Sequence, residues 1–148
     1  MVEREDCAPY LAEDHNCRDT DDDSCDYQGV SVTDFYNKWY STEAEMKELV
    51  YMAPVATSVF ASYWGDYGGG VYDDERCCES ESDPNCIWSN NHEVTAVGYG
   101  SEAGKDYWLV KNSWGSRWGD AGYMKIKRGS GHCGFGTQHI VQPSCQVV

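Results

Sequence analysis

From Val55 to Lys127 the chain is written in short runs of β-branched and aromatic residues separated by glycine, and that pattern restricts it to a sheet-based fold. The runs are Val55–Phe60, Val94–Tyr99, Tyr107–Lys111 and Tyr123–Lys127. Each has the length and the stiff side chains that a pleated surface accommodates. Gly68-Gly69-Gly70, Gly98 with Gly100, and Gly129 with Gly131 mark turns or bulges. One segment, residues 41–52, reads instead as a helix. Thr42 and Glu45 have the T-x-x-E spacing of a capping box, in which each side chain satisfies an otherwise unpaired backbone N–H. Met46, Leu49, Val50 and Ala53 follow on one face, and Pro54, which has no N–H to donate, ends the run. One helix followed by several strands predicts an α+β fold on an antiparallel sheet. At 148 residues, one compact domain over 1–148 is the expectation.

Eight cysteines (Cys7, Cys17, Cys25, Cys77, Cys78, Cys86, Cys133 and Cys145) point to an oxidising compartment and a disulfide framework. Zinc is the rival reading, with Cys77, Cys78, Cys86 and His92 as a conceivable ligand set. The paired C-x2-C spacing of a structural zinc site is missing, so no metal or other cofactor is expected. The acidic stretch Asp19–Asp26 fails as a calcium loop. Counted from Asp19, the sixth and twelfth positions hold Ser24 and Val30 in place of Gly and Glu. It reads as a solvated loop tied by disulfides.

The net charge of −14 is unevenly spread. Residues 1–91 carry 21 acids against 5 bases, and residues 92–148 carry 4 acids against 6 bases. Such a balance disfavours nucleic acid, whose binding depends on Lys and Arg neutralising phosphates, and it disfavours anionic lipid surfaces. No apolar run reaches the roughly 18 residues of a membrane span. Met1 to Tyr10 carries charges where an apolar signal core would sit, so no secretory signal is expected within the sequence. That expectation agrees with the cysteine usage if the chain is a processed piece of a longer precursor.

The chemistry concentrates between Asn91 and Gly136. Asn91-His92-Glu93-Val94 leads into Ala96-Val97-Gly98-Tyr99-Gly100. Lys111-Asn112-Ser113-Trp114-Gly115 and Trp118-Gly119-Asp120-Ala121-Gly122-Tyr123 follow. A neutral thiol attacks poorly, so an imidazole must hold it as thiolate and later protonate the leaving amine. A third group must then fix the ring's orientation and tautomer. His92 heads a strand-like run, and Asn112 lies 20 residues on beyond a glycine-containing turn, so the two can meet on neighbouring antiparallel strands. Trp114 is placed to face the same side of its strand and to exclude water from their bond. His15, His132 and His139 lie in no such context and are expected to carry no chemistry.

In these blocks, NHxVxxVGYG followed by KNSWGxxWGxxGY, the sequence resembles the papain family of cysteine peptidases, specifically the C-terminal half of their catalytic domain. The resemblance covers nearly the whole chain. Upstream, Glu5-Asp6-Cys7-Ala8-Pro9-Tyr10 with Cys17 and Cys25 is similar to the cysteine-rich entry of cathepsin C, and more distantly to cathepsins X and B. The likeness implies the right-hand, β-rich subdomain, with a barrel-like antiparallel core, one or two short helices and several disulfides. It assigns His92 and Asn112 as the catalytic base and its orienter, with Trp114 shielding their bond. Trp118 matches a family aromatic near the cleft and would contact substrate or serve packing. By the same likeness Cys7 pairs with Cys25, Cys77 with Cys133, and Cys17 with a cysteine of the N-terminal half. Ala53-Pro54 stands where the family more often has Gly-Pro, a local backbone difference.

Two departures matter more. The family nucleophile lies in C-G-[SA]-C-[WY], some 130–150 residues before the histidine. None of the eight cysteines has that setting, so the sequence predicts an incomplete catalytic domain that does not cleave peptides alone. The expected partner is the cysteine-bearing half or another chain covering the cleft face, with peptide as substrate once complemented. The expected location is lysosomal, vacuolar or secreted. The alternative is a truncated, non-catalytic homologue that binds or supports an assembly. The second departure is Glu93, where the family usually has a small residue that shapes the pocket for the second residue before the cut. A carboxylate there would favour a basic or amine-bearing group.

Overall fold

The structure, a computed structural model, describes residues 30–77 and 90–147. These belong to two compact units, one spanning residues 36–142 and one containing the described residues 30–35 and 143–147. The acidic stretch Asp19–Asp26 read as a solvated loop, the pairing of Cys7 with Cys25, and Cys17, Cys78 and Cys86 all lie outside the described residues.

In the larger unit Thr42 caps helix α1 (Glu43–Met52) as its spacing predicts. Thr42 Oγ1 accepts the Glu45 N–H at 3.2 Å, and Glu45 Oε2 accepts the Thr42 N–H at 3.0 Å. The chain leaves the helix at Ala53 in extended conformation, because Pro54 cannot continue the hydrogen-bond ladder. Met46 and Val50 are buried by the helix, while Tyr51 and Met52 on the other side are exposed.

Strands β1 (Val30–Lys38), β2 (Val55–Val59), β3 (Val71–Tyr72), β4 (His92–Glu102), β5 (Lys105–Lys111), β6 (Tyr123–Lys127) and β7 (Ile140–Val147) complete the elements, with a 3-10 turn at His132–Gly134. The strand order is β1-β7-β2-β4-β5-β6-β3. The sheet is open rather than barrel-like. Its β2–β4, β4–β5, β5–β6 and β2–β7 pairs are antiparallel, whereas β3 pairs with β6 in parallel. Strand β1 escapes sequence reading because residues 32–37 are all exposed, which removes the alternation that marks a half-buried strand. Strand β7 escapes because it contains Pro143, a residue that argues against a strand interior. In the smaller unit Thr33 Oγ1 donates to the Ser144 carbonyl at 3.1 Å.

The core of the larger unit joins Met46 and Val50 of α1 to Val55, Val59, Val94, Ala96, Trp108, Val110, Met124 and Ile126 of the sheet. A buried carboxylate locks helix to sheet. Glu43 accepts Trp108 Nε1–H at 3.1 Å and the Gly129 N–H at 2.6 Å. Sequence patterning places Glu43 only as an acid in the first helical turn, favourable beside unpaired N–H groups. Its partners come from segments more than sixty residues away, which periodicity does not reveal. Among the described residues no helix is long and apolar enough to cross a membrane.

Glu43→Ala would leave the buried Trp108 indole N–H without its acceptor, at about 2 kcal/mol. Thr42→Ala removes one exposed cap, at about 1 kcal/mol. Urea unfolding of the two variants should show the larger midpoint shift for Glu43→Ala.

Candidate active site

The β4–β5 hairpin positions His92 and Asn112, the two residues from which chemistry is expected. Its turn places Ala103 and Gly104 at φ 48° and 79°, the left-handed backbone pair that matches the twist of a tight hairpin. Register then runs from Glu102↔Lys105 to Thr95↔Lys111, with an irregularity between Ala96 and Gly98 that absorbs Val97. His92 therefore opens β4 near the point where β5 ends and Asn112 begins the next loop. The Asn112 N–H donates to the Gly122 carbonyl at 3.0 Å and fixes that exit.

His92 Nε2 lies 2.8 Å from Asn112 Oδ1. The direction of this bond follows from a second contact. The Ser113 N–H donates to the same oxygen at 2.8 Å, and a backbone N–H can only donate, so the atom facing it must be the amide oxygen. Nε2 must then carry the proton. The other ring nitrogen, Nδ1, has no hydrogen-bond partner among the described residues. Asn112 is buried, which strengthens the bond by keeping water from competing for it.

Aromatic rings enclose the imidazole. Trp114 lies with its ring centroid 5.0 Å from His92 at 33°, and Trp64 meets it edge-on at 6.3 Å and 89°. Trp118 stands at 79° to Trp114, with centroids 5.1 Å apart, and its Nε1–H donates to the Trp64 carbonyl at 3.1 Å. Trp114 sits in the loop after β5, rather than on the strand as its spacing predicts. It reaches His92 because the chain turns there, with Gly115 at φ 85°. Gly119, at φ 58°, lets the loop pass close to β6. A Cβ at that position would lie 2.5 Å from the Tyr123 carbonyl. Trp64 has no sequence motif of its own, and only the fold brings it to His92.

Glu93 is exposed and accepts the hydroxyl of Ser58, its register partner on β2. Cys77 and Cys133 are joined by a buried disulfide. That bond takes Cys77 out of the conceivable zinc set, and His92 is turned to Asn112 instead. His132, beside the disulfide, is fully buried and accepts the Asp74 N–H at Nε2 (3.2 Å). The loop carrying Cys77 is held by Arg76, whose guanidinium bonds Asp74 and depresses that carboxyl well below the usual range. Nearby, burial and then Asp74 push the Tyr72 hydroxyl up to about 12, so it remains a neutral donor to Asp74 Oδ2 at 3.3 Å. His139 bonds Asn37 Oδ1 through Nε2 at 2.7 Å and stacks on Trp39. Of the described cysteines, only Cys145 is a free thiol, and it lies in the smaller unit.

The family model described as papain family cysteine protease matches residues 1–142. The chain belongs to the papain family. It is 38% identical to digestive cysteine proteinase 3 of Homarus americanus, over 93% of this chain and 40% of that protein. It is likewise 38% identical to the thiol protease aleurain of Arabidopsis thaliana, over 92% of this chain and 36% of the relative. The chain thus spans well under half the length of these relatives. Among solved structures, the digestive procathepsin L2 proteinase of Tenebrio molitor larval midgut matches with a TM-score of 0.75 and 33% identity. That match covers 96% of this chain and 42% of the other. Bromelain of Ananas comosus, in complex with the inhibitor E64, matches with a TM-score of 0.76 and 30% identity, covering 97% and 62%. These relatives carry digestive, aleurain, cathepsin L and bromelain names, whereas the cysteine-rich start led to an expectation of a cathepsin C-like branch.

In this papain-family chain the fixed amide makes a spectroscopic prediction. Long-range 1H–15N spectra near neutral pH should show the His92 proton on Nε2. Asn112→Ala should lose the slowly exchanging Nε2–H signal, and an unaltered signal would contradict the assigned bond direction.

Proposed function

We propose that this chain supplies the base and its orienter to a papain-type peptidase site whose nucleophilic cysteine comes from the other half of the catalytic domain. The observation that supports this reading is the His92–Asn112 bond, which commits Nε2–H to the amide oxygen and reserves Nδ1 for a sulfur. Nδ1 takes the thiol proton, giving a thiolate and an imidazolium whose positive charge Asn112 Oδ1 faces through Nε2–H. The thiolate adds to the scissile carbonyl, and the imidazolium returns its proton to the leaving amine as the C–N bond breaks. Water then adds to the acyl-enzyme, its proton passing to Nδ1 and back to the departing thiolate. Trp114 screens the Nε2–H bond from solvent and would border the leaving-group side. Trp118 backs Trp114 and would line the same side.

Glu93, next to the base, would receive an amine-bearing side chain of the substrate. The partner in this reading is the cysteine-bearing half, which would also bring an oxyanion donor and the cysteine that pairs with Cys17. The Cys77–Cys133 disulfide supports an oxidising location, lysosomal, vacuolar or secreted.

Non-reducing mass spectrometry of the protein from its natural source tests the reading. The expected result is a disulfide from Cys17 to a peptide containing C-G-[SA]-C-[WY], with that peptide labelled by E64. An intact chain with no such peptide, inert to E64, would refute it in favour of a non-catalytic homologue. In the assembled enzyme, His92→Ala should lower kcat/KM by ~10²–10⁴-fold, the usual worth of a positioned acid–base group. Asn112→Ala should cost about tenfold, one hydrogen bond's worth.

A further inference from the structure

We infer that the Cys77–Cys133 pair, once reduced, forms with His132 a buried site for a thiolate-binding dication of the zinc type. The site uses neither His92 nor Asn112 and stands independently of the peptidase reading.

Three ligating side chains converge in the interior. Cys77, Cys133 and His132 are all buried, and one ring nitrogen and the two sulfurs lie within 4.8 Å of one another. Two of the three are neighbours in sequence. They meet because the turn at His132–Gly134 holds Cys133 at φ 55°, a left-handed conformation uncommon for a residue with a side chain. The third comes from a segment 56 residues away. Its position is fixed by the Cys77 N–H, which donates to the Asp74 carbonyl at 2.9 Å. The Asp74 N–H in turn donates to His132 Nε2 at 3.2 Å, so that nitrogen carries a lone pair rather than a proton. The ring is therefore neutral, the form in which imidazole binds metal. Glu75 and Arg76, immediately before Cys77, are exposed, so a short loop separates the sulfur from solvent.

The oxidised link offers no ligand, because the thiolate is the form of cysteine that binds metal. Two small-molecule thiols change that. They open the Sγ–Sγ bond, become a disulfide themselves, and leave one thiol on Cys77 and one on Cys133. Binding of the dication releases both protons and forms two metal–thiolate bonds. Two bare thiolates in the interior would be costly, whereas two thiolates, a neutral imidazole and a dication sum to zero charge. Sulfur and imidazole donors select zinc over magnesium or calcium, which require oxygen. The fourth tetrahedral position is left to water or to a thiol of the reductant. The metal thus keeps the two segments tied when the covalent link is broken. That tie bears on the neighbouring strand, where the Cys133 carbonyl accepts the Phe60 N–H at 2.9 Å, next to Val59, the register partner of His92.

The test uses the full chain, reduced with a phosphine that is then removed under argon, and Co2+ as the probe. One equivalent should produce thiolate-to-cobalt charge-transfer absorption with the visible bands of a tetrahedral site, and Zn2+ should displace it. The chain with its disulfide intact should not. Replacing both Cys77→Ser and Cys133→Ser should abolish the signal, which separates this site from the other six cysteines. His132→Gln should weaken Co2+ binding by at least about tenfold. A signal that survives the double replacement, or an affinity unchanged in His132→Gln, overturns the inference. Because these variants alter a buried turn, a second measurement keeps the sequence unmodified. In the 15N-labelled reduced chain, Zn2+ should move the His132 ring nitrogens and keep the amide spectrum dispersed. An unmoved ring, or a reduced chain that loses its dispersion and does not regain it with Zn2+, overturns the site as well. Absence of peptide cleavage counts only against the peptidase reading.

Discussion

One side-chain amide, that of Asn112, is the constraint on which the arrangement depends. Its oxygen accepts from both the Ser113 N–H and His92 Nε2, and the backbone donor settles which way the amide faces. That in turn settles the tautomer of the imidazole and leaves Nδ1 as the nitrogen able to exchange a proton with a neighbour. A histidine held in the other tautomer would present an N–H where the proposed peptidase reading needs a base. The chemical polarity of the pair is therefore set by a backbone contact one residue from Asn112, before any substrate or partner is present.

The sheet exists, in functional terms, to keep that amide in reach. A tight hairpin with two left-handed residues brings β4 and β5 into register, and the loop after β5 is clamped by the Gly122 carbonyl. Packing from α1 stiffens the same strands. Trp108, on β5, is buried and donates to Glu43 at the first turn of the helix, so helix, strand and hairpin form one mechanical unit. Beside the imidazole, Trp64 and Trp114 supply an aromatic wall from two segments, with Trp118 packed against Trp114.

The two faces of β4 differ in chemistry. The His92 side is aromatic, with Trp64 and Trp114 against the ring. The Glu93 side is polar, with a carboxylate tied to Ser58. The alternation of a strand puts Glu93 on the face opposite Val94 and Ala96, so its carboxylate does not compete with Asn112 for the ring.

Much of this was legible in order along the chain. The helix with its cap, four of the seven strands, and the His92–Asn112 pair follow from local spacing and from motifs whose physics is short-range. Strands β1, β3 and β7 were not, since an all-exposed strand, a two-residue strand and a proline-containing one lack the periodicity that burial imposes. Nor were Glu43, Trp64 and Ser58 as participants. The amino-acid sequence determined by itself which residues could carry the chemistry, because proton affinity, hydrogen-bonding capacity and turn preference belong to residue types and their immediate neighbours. Only the tertiary structure decided which ring nitrogen faces outward, which rings enclose it and which hydroxyl holds the carboxylate, because those contacts join segments far apart in the chain and arise only when strand register and helix packing bring them together.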